Sequence, residues 1–321
     1  MSLLRPSCTI TVEGTRYTGV EAAVRLLEVD LDLGEGHDLV VLHCSHRSPL
    51  RDVRPDAACT LSLGYADEEA EVFTGLVDRV EQGLTGVSIE VLAATLPLSF
   101  WYGAQTYQDQ TVADIIGDLA GQAGVATSTL DAETKITIWQ VNEQRSAWWH
   151  INRLARLGDH ELFCDPQGAL AIRPVGSGGL KHTLRFGAEV LAIKAADRRD
   201  GGGQWLYAPA GAGSELGSDK WHIPLREAVG NSPPGPTRID GAIRDRDTAE
   251  TVTSGVQTRR TRSLFNGQVL IMGNSAIRPG DGVELTGMPH ADSVSGRVLG
   301  LHHRLDGRHG FTSQLSLGGS P

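Results

Sequence analysis

The chain has 321 residues, a formal net charge of −10 and 40% hydrophobic residues. This length predicts about two domains, with cores large enough to need no disulfide staples. The acid excess argues against sequence-independent nucleic-acid binding, which depends on neutralising phosphates.

Cys8, Cys44, Cys59 and Cys164 stand singly, with no Cys-x-x-Cys pair. They read as small core hydrophobes in a reducing compartment, and no metal or cofactor is expected. The opening MSLLRPSCTITVEG lacks the long apolar stretch and cleavage site of a secretory signal. No run approaches the roughly 20 apolar residues that would cross a bilayer. The expectation is synthesis in the cytoplasm, without direct membrane insertion.

From residue 7 to 43 the chain alternates or clusters β-branched residues and breaks at Gly14, Gly34 and Gly36. Together with 57–65, 71–80 and 87–95 this predicts five or six antiparallel strands, the pattern of a small barrel or sandwich. From Trp101 the period changes. In QTVADIIGDLAGQAGV, residues Val112, Ile115, Ile116, Leu119, Ala120 and Ala123 share one helical face, with Thr111 as N-cap, Asp114 three residues on, and Gly124 as the stop. After the short strand KITIWQ, a second helix, SAWWHINRLARLG, places Trp148, Ile151, Leu154 and Ala155 on one stripe. The turn Asp165-Pro166-Gln167-Gly168 then joins two alternating runs as a hairpin.

GSGG at 176–179 reads as a linker, and strands resume in LRFGAEVLAIKAAD. Residues 197–237 are loop-rich, too long for an ordinary connection, and suit a surface loop or a segment ordered by a partner. RDTAETVTSGVQTRRTRS reads as a poor helix because of its threonines and Gly255.

The chain says one thing twice. RPDAACTLSLG at 54–64 is followed by Thr74-Gly75-Leu76-Val77, a Gly-rich turn and VSIEVLA; RPGDGVELTG at 278–287 is followed by Ser295-Gly296-Arg297-Val298, a Gly-rich turn and FTSQLSL. Two related β modules separated by an insertion account for that shared order. The predicted fold is mainly β with an α+β insertion. A first barrel spans 1–100, an α/β lobe 101–176, and a second barrel 177–321 that carries a long loop and helix insertion at about 197–262.

Catalytic motifs are missing: there is no G-x-S-x-G elbow, P-loop, G-x-G-x-x-G after a strand, or H-E-x-x-H. His302, His303 and His309 gather near Asp306, but neighbouring residues of a strand point to opposite faces and make poor joint ligands. No catalytic, cofactor or metal residue is assigned. Residues 61–120 hold ten acids against the single base Arg79, so Glu68, Glu69 and Glu71 are candidate interface residues, facing either a lumen or a partner rim. Trp148, Trp149 and Trp221 are the aromatic candidates, since exposed aromatics anchor protein contacts.

Several of these stretches, in order, resemble the phage late control D family, to which the VgrG-type baseplate hubs are related. The residues that carry it are TVADIIGDLAGQAGV, Gln140-Val141-Asn142-Glu143, the Trp-bearing helix ending LARLG, the FCDPQGALAIRP hairpin, and IRPGDGVELTG through SGRVLGLHHRLDGRHGFTSQLSLGG. Gln144-Arg145-Ser146 departs from the family's usual Ser-Asp, and His150 from a usual Leu. The resemblance implies two tube-protein-like barrels and a non-enzymatic hub of a contractile injection system or phage tail. It further implies a homotrimer that adapts a sixfold inner tube to a threefold spike, in contact with baseplate adaptor proteins, within a tail-like particle or virion. The chain stops directly after the second module, so the spike is expected as a separate polypeptide. The alternatives are a tail-associated cell-wall hydrolase or peptidase, a carbohydrate-binding β protein, a neighbouring tail adaptor, or the hub of a non-contractile tail.

Overall fold

The computed structural model describes residues 5–34, 36–66, 68–177, 181–197, 206–209, 237–289 and 291–319. Alternation of buried and exposed side chains sets the first seven strands: β1 (Pro6–Val12), β2 (Thr15–Thr18), β3 (Val24–Asp32), β4 (Leu39–Ser45), β5 (Ala58–Tyr65), β6 (Glu68–Gln82) and β7 (Gly86–Ala93). In β7 the alternation is unbroken: Val87, Ile89, Val91 and Ala93 face inward.

The middle of the chain changes layer. It holds α1 (Pro97–Phe100), β8 (Gln105–Thr111), α2 (Val112–Gln122), β9 (Thr127–Leu130), β10 (Lys135–Val141), α3 (Ala147–Leu157), β11 (His160–Cys164) and β12 (Leu170–Pro174). The capping box at the start of α2 is formed, with the Thr111 hydroxyl accepting from the Asp114 backbone and the Asp114 carboxylate accepting from the Thr111 backbone. Gly124 takes φ +71°, which ends that helix at the predicted residue. Strand β8, which pairs with β10, carries no apolar alternation in QTYQDQT and was not legible as a strand.

The remaining elements are β13 (Lys181–Arg185), β14 (Val190–Asp197), β15 (Leu206–Pro209), β16 (Thr237–Asp240), α4 (Arg246–Arg262), β17 (Phe265–Met272), β18 (Gly282–Met288), β19 (Ala291–Asp306) and β20 (Gly310–Gly318). The expected poor helix is seventeen residues long. Asp245 caps it by accepting from the Thr248 backbone at 2.8 Å, and Thr251, Thr258 and Thr261 return their hydroxyls to carbonyls four residues back. Its buried face, Ala249 and Val252, joins the core of the lobe, where Ile115, Ile116, Leu119, Ile151 and Leu154 also meet.

The chain is mainly β, with two related barrels and an α/β lobe between them. Six strands of the first run β1-β5-β6-β7-β4-β3, and six of the second run β13-β18-β19-β20-β17-β14. The correspondence extends to irregularities. The β3/β4 ladder shifts register between Val24 and Leu26, and the β14/β17 ladder between Val190 and Ala192. Likewise β6/β7 shifts between Val77 and Arg79, and β19/β20 between Val298 and Gly300. One strand breaks the likeness: β1 is antiparallel to β5, whereas β13 is parallel to β18. Strand β3 of the first barrel pairs with β19 of the second, so both belong to one 13-stranded sheet with a continuous core.

Candidate interface surfaces

The seam between the barrels is antiparallel and runs from Gly300↔Asp32 to Asp306↔Leu26. Its inner face is apolar apart from His303: Leu27, Val29, Leu31 and Leu301 are all buried. Its outer face is ionic. His302 Nδ1 lies 2.6 Å from Asp30, its Nε2 lies 3.8 Å from Glu28, and Arg304 reaches Glu28 at 3.6 Å. The next residue, His303, turns inward, is fully buried, and bonds the Ser313 hydroxyl at 2.7 Å through Nδ1. The predicted opposition of these two histidines therefore holds. His309 bonds Asp306 at the hairpin turn, and no three His, Cys, Asp or Glu residues gather as metal ligands among the described residues.

A second set of contacts fastens the lobe to the barrels. Glu161 on β11 is 4% exposed and accepts from Arg173 Nε on β12 at 2.6 Å; Arg297 on β19 is paired with it as well. Arg278, the arginine of the second repeated word, donates to the Glu71 backbone carbonyl at 2.6 Å and so ties the second barrel to the first. Asp281 accepts from the Arg278 backbone at 2.8 Å and meets His182 at 3.0 Å. Asp159 receives Arg262 of α4 at 3.0 Å. Burial depresses the guanidinium pKa values of Arg173, Arg278 and Arg297. Arg278 and Glu71, His182 and Asp281, Arg262 and Asp159, and Arg297 and Glu161 lie far apart in sequence, so local pattern carried no sign of these pairs.

The predicted interface residues do not form one patch. Glu68 is exposed at the start of β6. Glu69 is half-buried and lines a cleft of about 830 Å³ with Cys8, Gly19, Val20, Leu305 and Asp306. Glu71 faces Gln167 of the lobe hairpin at 3.4 Å. The acidic block as a whole is divided among tasks: Asp114 caps α2, Asp118 accepts from the Tyr107 hydroxyl at 2.7 Å, and Glu90 pairs with Arg79.

Both tryptophans of α3 are half-buried. Trp148 stacks on His37 of the first barrel, ring centroids 4.3 Å apart, while the guanidinium groups of Arg145 and Arg153 lie over the Trp149 ring at 5.2 and 5.3 Å. Trp149, Trp139, His150 and Arg153 line a pocket of about 240 Å³, closed on one side by Asp240, which binds Arg153 at 2.7 Å. Burial is the main cause that holds the His150 imidazole below its ordinary pKa, reinforced by Arg153. Trp221 lies outside the described residues, as does most of the loop-rich 197–237 stretch.

The same fold occurs in phage tail proteins. A tail protein from Neisseria meningitidis MC58 superposes with a TM-score of 0.74 at 13% identity, over 98% of this chain and 96% of that one. The 43 kDa tail protein of prophage MuSo2 from Shewanella oneidensis gives 0.69 at 14% identity, over 97% and 98%. An E. coli component of the type VI secretion system, itself similar to phage T4 tail proteins, gives 0.62 at 11% identity, over 97% and 79%. None of the curated proteins matches in sequence. These likenesses show a shared two-barrel fold. Residues 33–225, more than half of the chain, match the model of the phage tail baseplate hub (GPD) family, and the chain belongs to that family.

Proposed function

We propose that this chain is a non-enzymatic structural hub that assembles as a homotrimer and adapts a sixfold inner tube to a threefold spike. The observation that carries the reading is the repeat. Two barrels of one strand order, joined edge to edge, let three chains present six similar modules while keeping threefold symmetry. The family supports the structural role in a tail particle.

The proposed division into barrels at 1–100 and 177–321 with a lobe at 101–176 is supported by the two separate cores. Helix α4 packs with the lobe, so the lobe and the helical part of the 197–262 insertion act together. Glu68 remains the accessible acidic candidate for a partner contact, and Trp149 with its two arginines the aromatic one. Tube, spike and baseplate adaptor proteins are the partners in this reading.

The test is the mass of the purified protein in solution, alone and with the tube and spike proteins encoded beside it. A trimer, or a monomer that becomes one with the spike, is the expected result. A monomer that ignores both partners at every concentration overturns the reading.

A further inference from the structure

The β3–β19 seam has a counterpart whose two halves, on β14 and β6, have no partner strand among the described residues. By the shared ladders and register shifts, β14 is the counterpart of β3 and β6 the counterpart of β19. Within the chain, β19 turns one edge to β18 as far as Arg297, and the same edge takes β3 from Gly300 onward. In β6 that edge is taken by β5 as far as Leu76, and among the described residues no strand pairs with it from Asp78 to Gln82. Strand β14 pairs with β17 on one side and with no described strand on the other.

Burial follows the same division. Leu27, Val29 and Leu31 are buried where the seam is closed; their counterparts Ile193, Ala195 and Asp197 are half-buried, exposed and exposed. Leu301 and His303 are buried, whereas Val80 is half-buried and Gln82 is exposed. A largely apolar strand edge without a partner strand invites strand addition, and β14 has no such partner on one edge among the described residues.

We infer that β14 of one chain pairs antiparallel with Arg79–Gln82 of β6 in a second copy of this chain. This inference rests on the trimeric reading above and specifies its contact. Carrying the observed register across places Val80 opposite Asp197, Glu81 opposite Ala196 and Gln82 opposite Ala195, as the counterparts of Leu301↔Leu31, His302↔Asp30 and His303↔Val29. The diagonal contact of His302 with Glu28 becomes Glu81 with Lys194, again of opposite charge but with the signs exchanged between strands. The contact is head-to-tail, so it closes into a ring when the rotation fits. It is also shorter than the internal seam, because β6 ends at Gln82 whereas β19 runs on to Asp306. The between-chain joint is therefore the weaker of the two.

The test is disulfide trapping. Glu81 and Ala196 are both exposed, so E81C with A196C leaves the fold intact, which an unchanged melting temperature checks. Directly opposed strand residues bring Cα atoms to about 5 Å, within disulfide reach. On oxidation of the assembled protein, the double variant is expected to form covalent dimers and trimers, while each single variant and the out-of-register pair D78C with A196C do not. An oligomer by mass that yields no specific crosslink overturns this seam and leaves the hub reading standing. A protein that stays monomeric with its neighbours overturns both.

Discussion

His302 Nδ1 lies 2.6 Å from Asp30, across the only ladder that joins the two barrels among the described residues, while the adjacent His303 is sealed inside the second barrel. The two imidazoles shift in opposite directions. The Asp30 hydrogen bond raises His302, and burial lowers His303 from its ordinary 6.5 to about 3. A folded value below the unfolded one means that the unfolded chain takes up the proton first as pH falls. The contribution of His303 is therefore full above about pH 6.5 and declines toward pH 3, at up to about 1.4 kcal/mol per pH unit. His37, lowered by burial to about 4, adds a loss of the same sign. Urea unfolding at pH 7 and pH 5 is expected to show a smaller acid loss for His303→Gln than for the unaltered chain. His302 acts oppositely: its contribution is present below its unfolded pKa and is lost as pH rises through the higher folded value.

Replacing Glu161 with Ala is expected to cost about 3–5 kcal/mol, because the buried Arg297 and the neighbouring Arg173 would both lose their carboxylate. Denaturant unfolding measures this. A change below about 1 kcal/mol would mean that the network contributes little to joining lobe and barrel.

Gly75 and Gly296 occupy corresponding positions in the repeat but differ in room. A Cβ on Gly75 would run into the Leu92 carbonyl, whereas one on Gly296 would meet the Gly318 carbonyl at 3.2 Å and Leu317 at 3.3 Å. Gly75→Ala is expected to destabilise by about 1–3 kcal/mol or more, and Gly296→Ala by less. Thermal melts of the two variants, compared side by side, test the ranking.

Helix α4 depends on its first turn more than most, since its threonines and Gly255 give it weak intrinsic propensity. Asp245→Ala removes the cap on Thr248 and a bond from Thr137 at 3.1 Å. A loss of about 1 kcal/mol is expected, together with faster amide exchange over 246–252.

The sequence made the repeat, the barrel strands, both lobe helices and the hairpin turn readable, because each has a local period or a turn residue. What it hid was pairing at a distance. Nothing around Leu301 announces Leu31 as its partner, and nothing in HELFC shows that Glu161 will be shared by two arginines. Helix α4 was undervalued for a related reason: propensity counts residues singly, whereas Ala249 and Val252 draw their stability from the lobe core they enter. The grouping of Glu68, Glu69 and Glu71 as one candidate surface also came from linear proximity. Alternation along the strand sets Glu68 against Glu69 and Glu71, and the fold gives the three different surroundings: solvent, the cleft beside Cys8 and the lobe hairpin.

One strand of the repeat is reversed: β13 runs with β18, where β1 runs against β5. Two barrels that differ in the polarity of a wall cannot be exchanged by any rotation. In the ring of three chains proposed above, a protein docking on the rim would meet the same chemistry only at every other barrel. It could read the circle as having three positions or, by touching only the shared strands, as having six. The reversed strand is thus a built-in phase mark, written in backbone direction, where a side-chain substitution cannot erase it.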